Sequence, residues 1–229
     1  MKKRIRNYTR RFVIPVIDMM FARGMGSVER SQAGELARIP LPPPQTDGGK
    51  PLLQALGLRA TSRNLAPDPI PAQTLSNLLW ATWGINRPAD GKRTAPSASN
   101  RQEIDLMVVR GDGTFLYDAS ANRLLLIAAG DNRRRALNRV RPFVKAAPLT
   151  LLLVADTTRM NGAEKDPEKR QMIWADAGFI NQNIYLFCAS DGLATGVRAH
   201  LDRPALAKAL GLKEHQVILF AQCVGLPVH

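Results

Sequence analysis

Apolar positions along the chain fall into blocks whose spacing alternates between helical and strand-like. Leu75, Leu78, Leu79 and residues 81–83 form a stripe at helical spacing, entered through prolines at 67, 69 and 71 and closed by Gly84, so the pattern predicts a helix over 68–84. A shorter helix over 51–58 precedes it, after the turn residues Asp47, Gly48 and Gly49. Two strand-like runs, 104–109 and 114–117, flank Gly111-Asp112-Gly113, a turn of the kind that closes a hairpin. The unbroken apolar run 149–155 has strand length and predicts a strand buried on both faces. Residues 167–192 form the longest helix, and from 179 to 189 it is apolar around most of its circumference, which places it in a core or a subunit interface. A strand over 193–199 follows, then a helix with Asp202 as its cap, Pro204 in its first turn and Gly211 past its end, then a last strand over 216–224.

The polar and proline-rich stretches between these blocks predict the rest. Residues 39–44 read as an extended, polyproline-like connector, because each proline restricts itself and its predecessor. Residues 86–100 read as one long loop, and long loops in compact domains usually carry function. Residues 133–145 read as a basic helix. The apolar run 12–22, broken by Pro15 and Asp18, falls short of the roughly 20 residues that span a bilayer, so no transmembrane segment is expected. Thr9-Arg10-Arg11-Phe12-Val13-Ile14 looks like a twin-arginine export address, and an amphipathic arm packing on the body or on a membrane surface is the other reading. The chain therefore divides into a leader or N-terminal arm over 1–34 and one domain over 35–229. The compartment is cytoplasmic, or periplasmic if the leader works.

Composition narrows the class. With 229 residues, 45% apolar and 22% charged, the chain can build one well-cored soluble domain. The net charge of +13 raises the question of nucleic acid, but eight Lys or Arg fall in residues 1–30 against Asp18 and Glu29. A second group, Arg133, Arg134, Arg135, Arg139 and Arg141, lacks interleaved aromatic stacking platforms and fits a solvated helix face or a phosphate-rich partner. No nucleic-acid partner is expected. Cys188 and Cys223 sit in apolar runs and read as buried hydrophobes, while His200, His215 and His229 lack ligand spacing, so no metal is expected.

No Gly-x-Gly-x-x-Gly unit, phosphate-binding Walker loop or nucleophile elbow occurs. Glu164, Asp166 and Glu168 precede a helix and read as compensation of its dipole. Trp80 and Trp83 fit either the core or the lining of an aromatic-ligand site. Arg59-Ala60-Thr61-Ser62-Arg63 places two guanidinium forks around two hydroxyls, a set that can hold a phosphate, although the same residues also make ordinary surface turns. Arg93-Thr94-Ala95-Pro96-Ser97-Ala98-Ser99-Asn100 supplies small residues and an amide suited to close approach to a flat polar ring. A phosphate clamp and a ring-sized loop without acid-base machinery are what a cofactor-dependent reaction needs from its protein.

The order of these motifs resembles the nitroreductase-like flavoproteins, in particular the branch that includes the azoline-oxidising dehydrogenases. The resemblance runs over 39–227 and rests on the 59–63 stretch, the helix with Leu75, Leu78, Leu79, Trp80, Ala81 and Gly84, and the loop with Arg93, Thr94, Pro96, Ser97, Ala98 and Asn100. It continues in Gln182, Asn183, Tyr185 and Leu186 with Gly192 and Leu193 after them, and ends on Val224, Gly225 and Pro227. It implies an α+β fold, a mixed β-sheet flanked by helices, in an intertwined homodimer with FMN at the subunit interface.

Carried onto this sequence, the resemblance implies that Arg59, Thr61 and Arg63 contact the phosphate and ribityl chain, with Ala60 where the backbone passes the flavin. It assigns Pro96, Ser97, Ala98 and Asn100 to the segment reaching the flavin from the other subunit, and Val197, Arg198 and Ala199 to the segment facing the reactive edge of the ring. The chain ends soon after Pro227, without the basic segment that often adds phosphate contacts in relatives. The expected activity is hydride transfer through flavin N5 from NADH or NADPH to a small nitro, quinone or enone acceptor, with no catalytic side chain of its own. A flavin-dependent dehydrogenase oxidising a bound substrate is one alternative, and a non-catalytic flavin- or nucleic-acid-binding protein is another.

Overall fold

The computed structural model of the chain describes residues 38–133, 147–163 and 165–228. The leader over 1–34, Glu164 and all but the first residue of the basic helix expected over 133–145 lie outside the described residues.

The apolar run 149–155 becomes an interior strand of a seven-stranded sheet. Strand β1 is Arg38–Pro40, β4 is Ile104–Val109, β5 is Gly113–Asp118 and β6 is Arg123–Ala129. Strand β7 is Leu149–Asp156, β8 is Ala194–Arg198 and β9 is Gln216–Gly225. A separate two-stranded ribbon pairs β2, Ile85–Arg87, with β3, Lys92–Arg93. The sheet order is β1-β6-β5-β4-β7-β9-β8. Every pairing in it is antiparallel, so the α+β class is observed while the sheet of this subunit is antiparallel rather than mixed. The helices are α1, Leu52–Leu58; α2, Ala72–Trp83; α3, Pro167–Asp191; and α4, Arg203–Leu210.

Alternation along the strands divides the core. Leu106, Val108, Leu151, Leu153 and Leu219 face α2 and α3, where Leu75, Leu78, Leu79, Trp83, Ile173, Ile180 and Ile184 meet them. Met107, Val109, Leu152, Val154, Ile218 and Ala221 face Leu206 and Leu210 of α4. Strand β7 is covered on both faces, as its composition predicts. Trp83 resolves to the core, 2% exposed, with its indole N–H donating to the Ile104 carbonyl at 2.9 Å.

Local chemistry sets the ends of the helices. The Asp166 carboxylate accepts the Glu168 and Lys169 N–H groups at the start of α3, and Gly192 ends that helix at φ +75°, a backbone state that favours glycine. Asp202 caps α4 through the Ala205 N–H. Helix α2 begins at Ala72 rather than at 68, because Pro69 and Pro71 hold the entry extended.

Three segments depart from the expectation. Arg38–Pro40 is a strand on β6, not part of a free connector, and its proline sits at the strand end, where a missing N–H costs little. Strand β6 itself carries no alternating pattern and reads only as a partner of β5. The polar stretch 86–100 is not one loop but holds the β2–β3 ribbon and a single 3-10 turn over Ala98–Asn100.

Candidate functional site

The 59–63 stretch leaves α1 and runs extended beside the edge of the sheet. Ser62 N–H donates to the Thr195 carbonyl at 2.8 Å, and Ala66 N–H to the Leu226 carbonyl at 2.8 Å, so the stretch continues the sheet beyond β8 and the chain's last residues. A Cβ on Gly196 would stand 3.2 Å from the Ser62 carbonyl oxygen, so the missing side chain is what lets the two backbones approach this closely. The 59–63 stretch thus lies against β8, beside the 197–199 segment.

One side chain of α3 joins them. The Tyr185 phenol oxygen accepts the Val197 N–H at 3.1 Å and hydrogen-bonds Thr61 Oγ1 at 2.9 Å. The Arg59 guanidinium carbon stands 5.4 Å from the centre of the same ring, a cation-π contact that turns this arginine over the strand edge. Arg198, at the end of β8, is only 9% exposed, and among the described residues none of its three guanidinium nitrogens finds an acceptor. A buried cation without a partner costs several kcal/mol, on the order of the penalty for stranding one member of an ion pair. An anionic or oxygen-rich ligand would satisfy it.

The second stretch is organised by different partners. Arg93 lies 4.8 Å over the Trp83 ring and donates to the Trp83 carbonyl at 2.7 Å and to Gln102 Oε1 at 2.8 Å. Burial lowers its pKa, which makes it a structural clamp rather than an exposed anion receptor. Beyond it Ser99, Asn100 and Gln102 hold φ of +50°, +51° and +50°, the left-handed region that non-glycine residues adopt at a cost of about 1 kcal/mol or more. Three such residues in four positions need external support, and they have it. Gln102 N–H donates to Ser97 Oγ at 3.0 Å, Gln102 Nε2 donates to Asn100 Oδ1 and the Gly91 carbonyl, and Ala98 N–H donates to Asp176 Oδ2 on α3 at 2.7 Å. Pro96 and Asn100 are exposed.

Both stretches therefore hang on α3, from Tyr185 and from Asp176. Nine residues separate these two, which amounts to roughly half a turn of rotation and about 14 Å along the axis. One subunit presents 59–63 and 96–100 on opposite sides of the helix. Met172 and Phe179 are exposed on one side of α3 and Trp174 on the opposite side, and α1 exposes Leu52, Leu53, Leu56 and Leu58, so apolar surface lies open around the same helix.

Beneath the 97–102 loop lies a cluster of charges absent from the sequence reading. Arg159 donates to the Gln102 carbonyl at 2.7 Å and pairs with Asp105 at 2.6 Å and Asp156 at 3.4 Å. Glu103 is fully buried, and that burial, with the Asp176 charge adding to it, pushes its carboxyl up to about 7. Tyr185, Asp176 and Glu103 are the residues that sequence reasoning did not place in the site. Tyr185 belongs to a quoted motif and Asp176 is an acid inside an apolar helix, but neither fact tells which loop each one holds.

Comparison with known proteins adds the lineage. The model of the nitroreductase family matches residues 57–226. A curated protein of Methanocaldococcus jannaschii, a candidate nitroreductase, is 26% identical over 170 residues, spanning 70% of this chain and 84% of that protein. The crystal structure of a candidate nitroreductase from Ralstonia eutropha is 37% identical with a TM-score of 0.78, covering 84% of this chain and 90% of its own. The NADPH:FMN oxidoreductase of Vibrio harveyi, complexed with NAD+, shares the fold at a TM-score of 0.55 and 20% identity, over 78% of this chain and 69% of its own.

Proposed function

The chain belongs to the nitroreductase family; from that premise we propose that it is an FMN-dependent oxidoreductase that transfers a hydride between NADH or NADPH and a small nitro, quinone or enone acceptor. The observation that carries the reading is the joining of 59–63 to β8 by the Ser62–Thr195 hydrogen bond and the Tyr185 hydroxyl, beside a buried guanidinium that lacks an acceptor among the described residues.

In this reading Arg59, Thr61 and Arg63 hold the FMN phosphate and ribityl chain, and Ala60 passes the ring through its backbone. Val197, Arg198 and Ala199 border the reactive edge. FMN, when bound, supplies the hydride-carrying centre at N5, and no side chain has to act as acid or base. The protein's part is to fix the ring and leave one face open to donor and acceptor in turn.

The site takes Pro96, Ser97, Ala98 and Asn100 from a second copy of the chain. Support comes from the half-turn between Tyr185 and Asp176, which directs the two stretches of one subunit apart, and from the exposed apolar residues of α1 and α3 that a homodimer would cover. Among the described residues no helix is long and apolar enough to cross a membrane.

Anaerobic mixing of FMN-loaded protein with NADH and NADPH tests the reading. Bleaching of the flavin absorbance by either nucleotide, followed by reoxidation with a quinone, is the expected result. Failure of both nucleotides, with bleaching by an organic substrate instead, would replace it with the dehydrogenase reading.

A further inference from the structure

Two carboxyl groups are buried together under the 97–102 loop, and the activity proposed above uses neither. Glu103 is fully enclosed and Asp176 is 4% exposed. Their backbones are fixed by different elements. Glu103 stands just before β4, where its carbonyl accepts the Asp156 N–H at 2.8 Å, and Asp176 belongs to α3. The two side chains are close enough for a hydrogen bond between them if one carries a proton.

The surrounding bonds say how that proton is used. Asp176 Oδ2 accepts the Ala98 N–H at 2.7 Å, at the first residue of the left-handed turn. Among the described residues neither oxygen of Glu103 meets a side-chain donor; its own backbone N–H is the one donor that favours the ionised form, and it does not outweigh the burial of the carboxylate. The facing cation, Arg159, is committed to Asp105, to Asp156 and to the Gln102 carbonyl. Arg93, on the far side of Gln102, is stacked on Trp83 and bonded to its carbonyl. Lys and Arg therefore offer Glu103 no direct hydrogen bond among the described residues. A proton on Glu103, donated to Asp176, satisfies both carboxyls at once.

We propose that Glu103 and Asp176 share one proton, and that this proton holds the 97–102 loop in its left-handed shape by keeping Asp176 in place under the Ala98 N–H. Loss of the proton sets two carboxylates against each other in a dry site. The one that can yield is Asp176, whose departure releases Ala98 and with it the turn that Ser99, Asn100 and Gln102 maintain. Glu103 and Asp176 are positioning residues in this account. The upward displacement of the Glu103 carboxyl by burial supports the same conclusion and puts the change near neutral pH. The loop's own behaviour does not depend on the flavin reading. The link to cofactor retention does.

Amide hydrogen exchange on the full-length apo-protein tests the loop directly. After correction for the intrinsic pH dependence of exchange, protection of 97–102 should fall about tenfold or more between about pH 6 and about pH 8, and Glu103→Gln should abolish that fall, because its amide donates to Asp176 at either pH. Protection that is independent of pH in the wild type, or that still falls in Glu103→Gln, overturns the proposal. If the variant does not fold, infrared spectra of the wild type decide instead: the carbonyl stretch of a buried protonated carboxyl must disappear over the same interval, and its absence at the lower pH overturns the proposal. FMN titration on the same samples reads the second link. Weaker binding at the higher pH in the wild type only is expected, whereas no FMN binding at any pH would refute the flavin reading and leave the loop result standing.

Discussion

The Tyr185 phenol oxygen stands 2.9 Å from Thr61 Oγ1, and through that contact the longest helix of the fold holds a motif more than a hundred residues away in sequence. The same oxygen accepts the Val197 N–H, so one atom sets the spacing between the 59–63 stretch and β8. Tyr185→Phe keeps the ring under Arg59 and deletes only the hydroxyl. Each lost hydrogen bond is worth about 1 kcal/mol, so FMN affinity should fall roughly five- to thirtyfold. Titration of apo-protein followed by flavin fluorescence measures this; an unchanged affinity would remove Tyr185 from the site.

Arg59→Ala and Arg63→Ala should each weaken FMN binding by about ten- to a hundredfold, since a charge-assisted bond to an anion contributes on the order of 1.5 to 3 kcal/mol. Arg123 provides the control. Its partner is Asp118 at 2.9 Å on the far part of the sheet, and a half-exposed ion pair of that kind is worth at most about 1 kcal/mol, so Arg123→Ala should change FMN affinity by less than about threefold. Equal affinities for all three variants would make the 59–63 arginines surface residues and nothing more.

Arg198→Leu separates stability from binding. Replacing a buried cation that has no partner among the described residues by an apolar side chain should stabilise the apo-protein by about 2 kcal/mol, which for a chain of this size raises Tm by roughly 4–8 °C. FMN affinity should move the opposite way, by about tenfold or more, if the guanidinium serves the ligand. A drop in apo-protein Tm would show that Arg198 supports the fold itself.

How much of this was legible in the sequence depended on how local the cause was. The ends of α3 follow from Asp166 and Gly192, the β4–β5 hairpin from Gly111-Asp112-Gly113, and the buried β7 from an apolar run broken only by Thr150; each needs only neighbours in sequence. Strand β6 was not read although residues 124–129 are unbroken apolar, because such a run does not distinguish strand from helix and its place comes from pairing with β5 and β1. The site divides the same way. The phosphate role proposed for Arg59, Thr61 and Arg63 rests on residue type, whereas the roles of Tyr185 and Asp176 depend on which side of α3 each one leaves from. Glu103 looks like an ordinary polar residue at a strand entrance until the fold closes over it.

The pH dependence of stability offers a test that needs neither ligand nor loop assignment. Burial raises the Glu103 carboxyl from 4.5 to about 7, so between those values the folded protein binds a proton that the unfolded chain has released. Stability must therefore fall as pH rises through that window. The contribution is complete below about 4.5, declines steadily up to about 7 and is flat above it. A shift of this size corresponds to about 3 kcal/mol at 1.36 kcal/mol per pKa unit. Asp105 is raised by burial as well and acts in the same sense, so the wild-type curve alone cannot isolate Glu103. Glu103→Gln can, since glutamine neither binds nor releases a proton. In urea unfolding of the apo-protein, the variant and the wild type should have similar stability near pH 4.5, and by about pH 8 the variant should be the more stable by about 2–3 kcal/mol. Parallel stability curves for the two proteins across that range would mean that Glu103 titrates like an exposed glutamate, and the buried carboxyl pair would lose its energetic meaning.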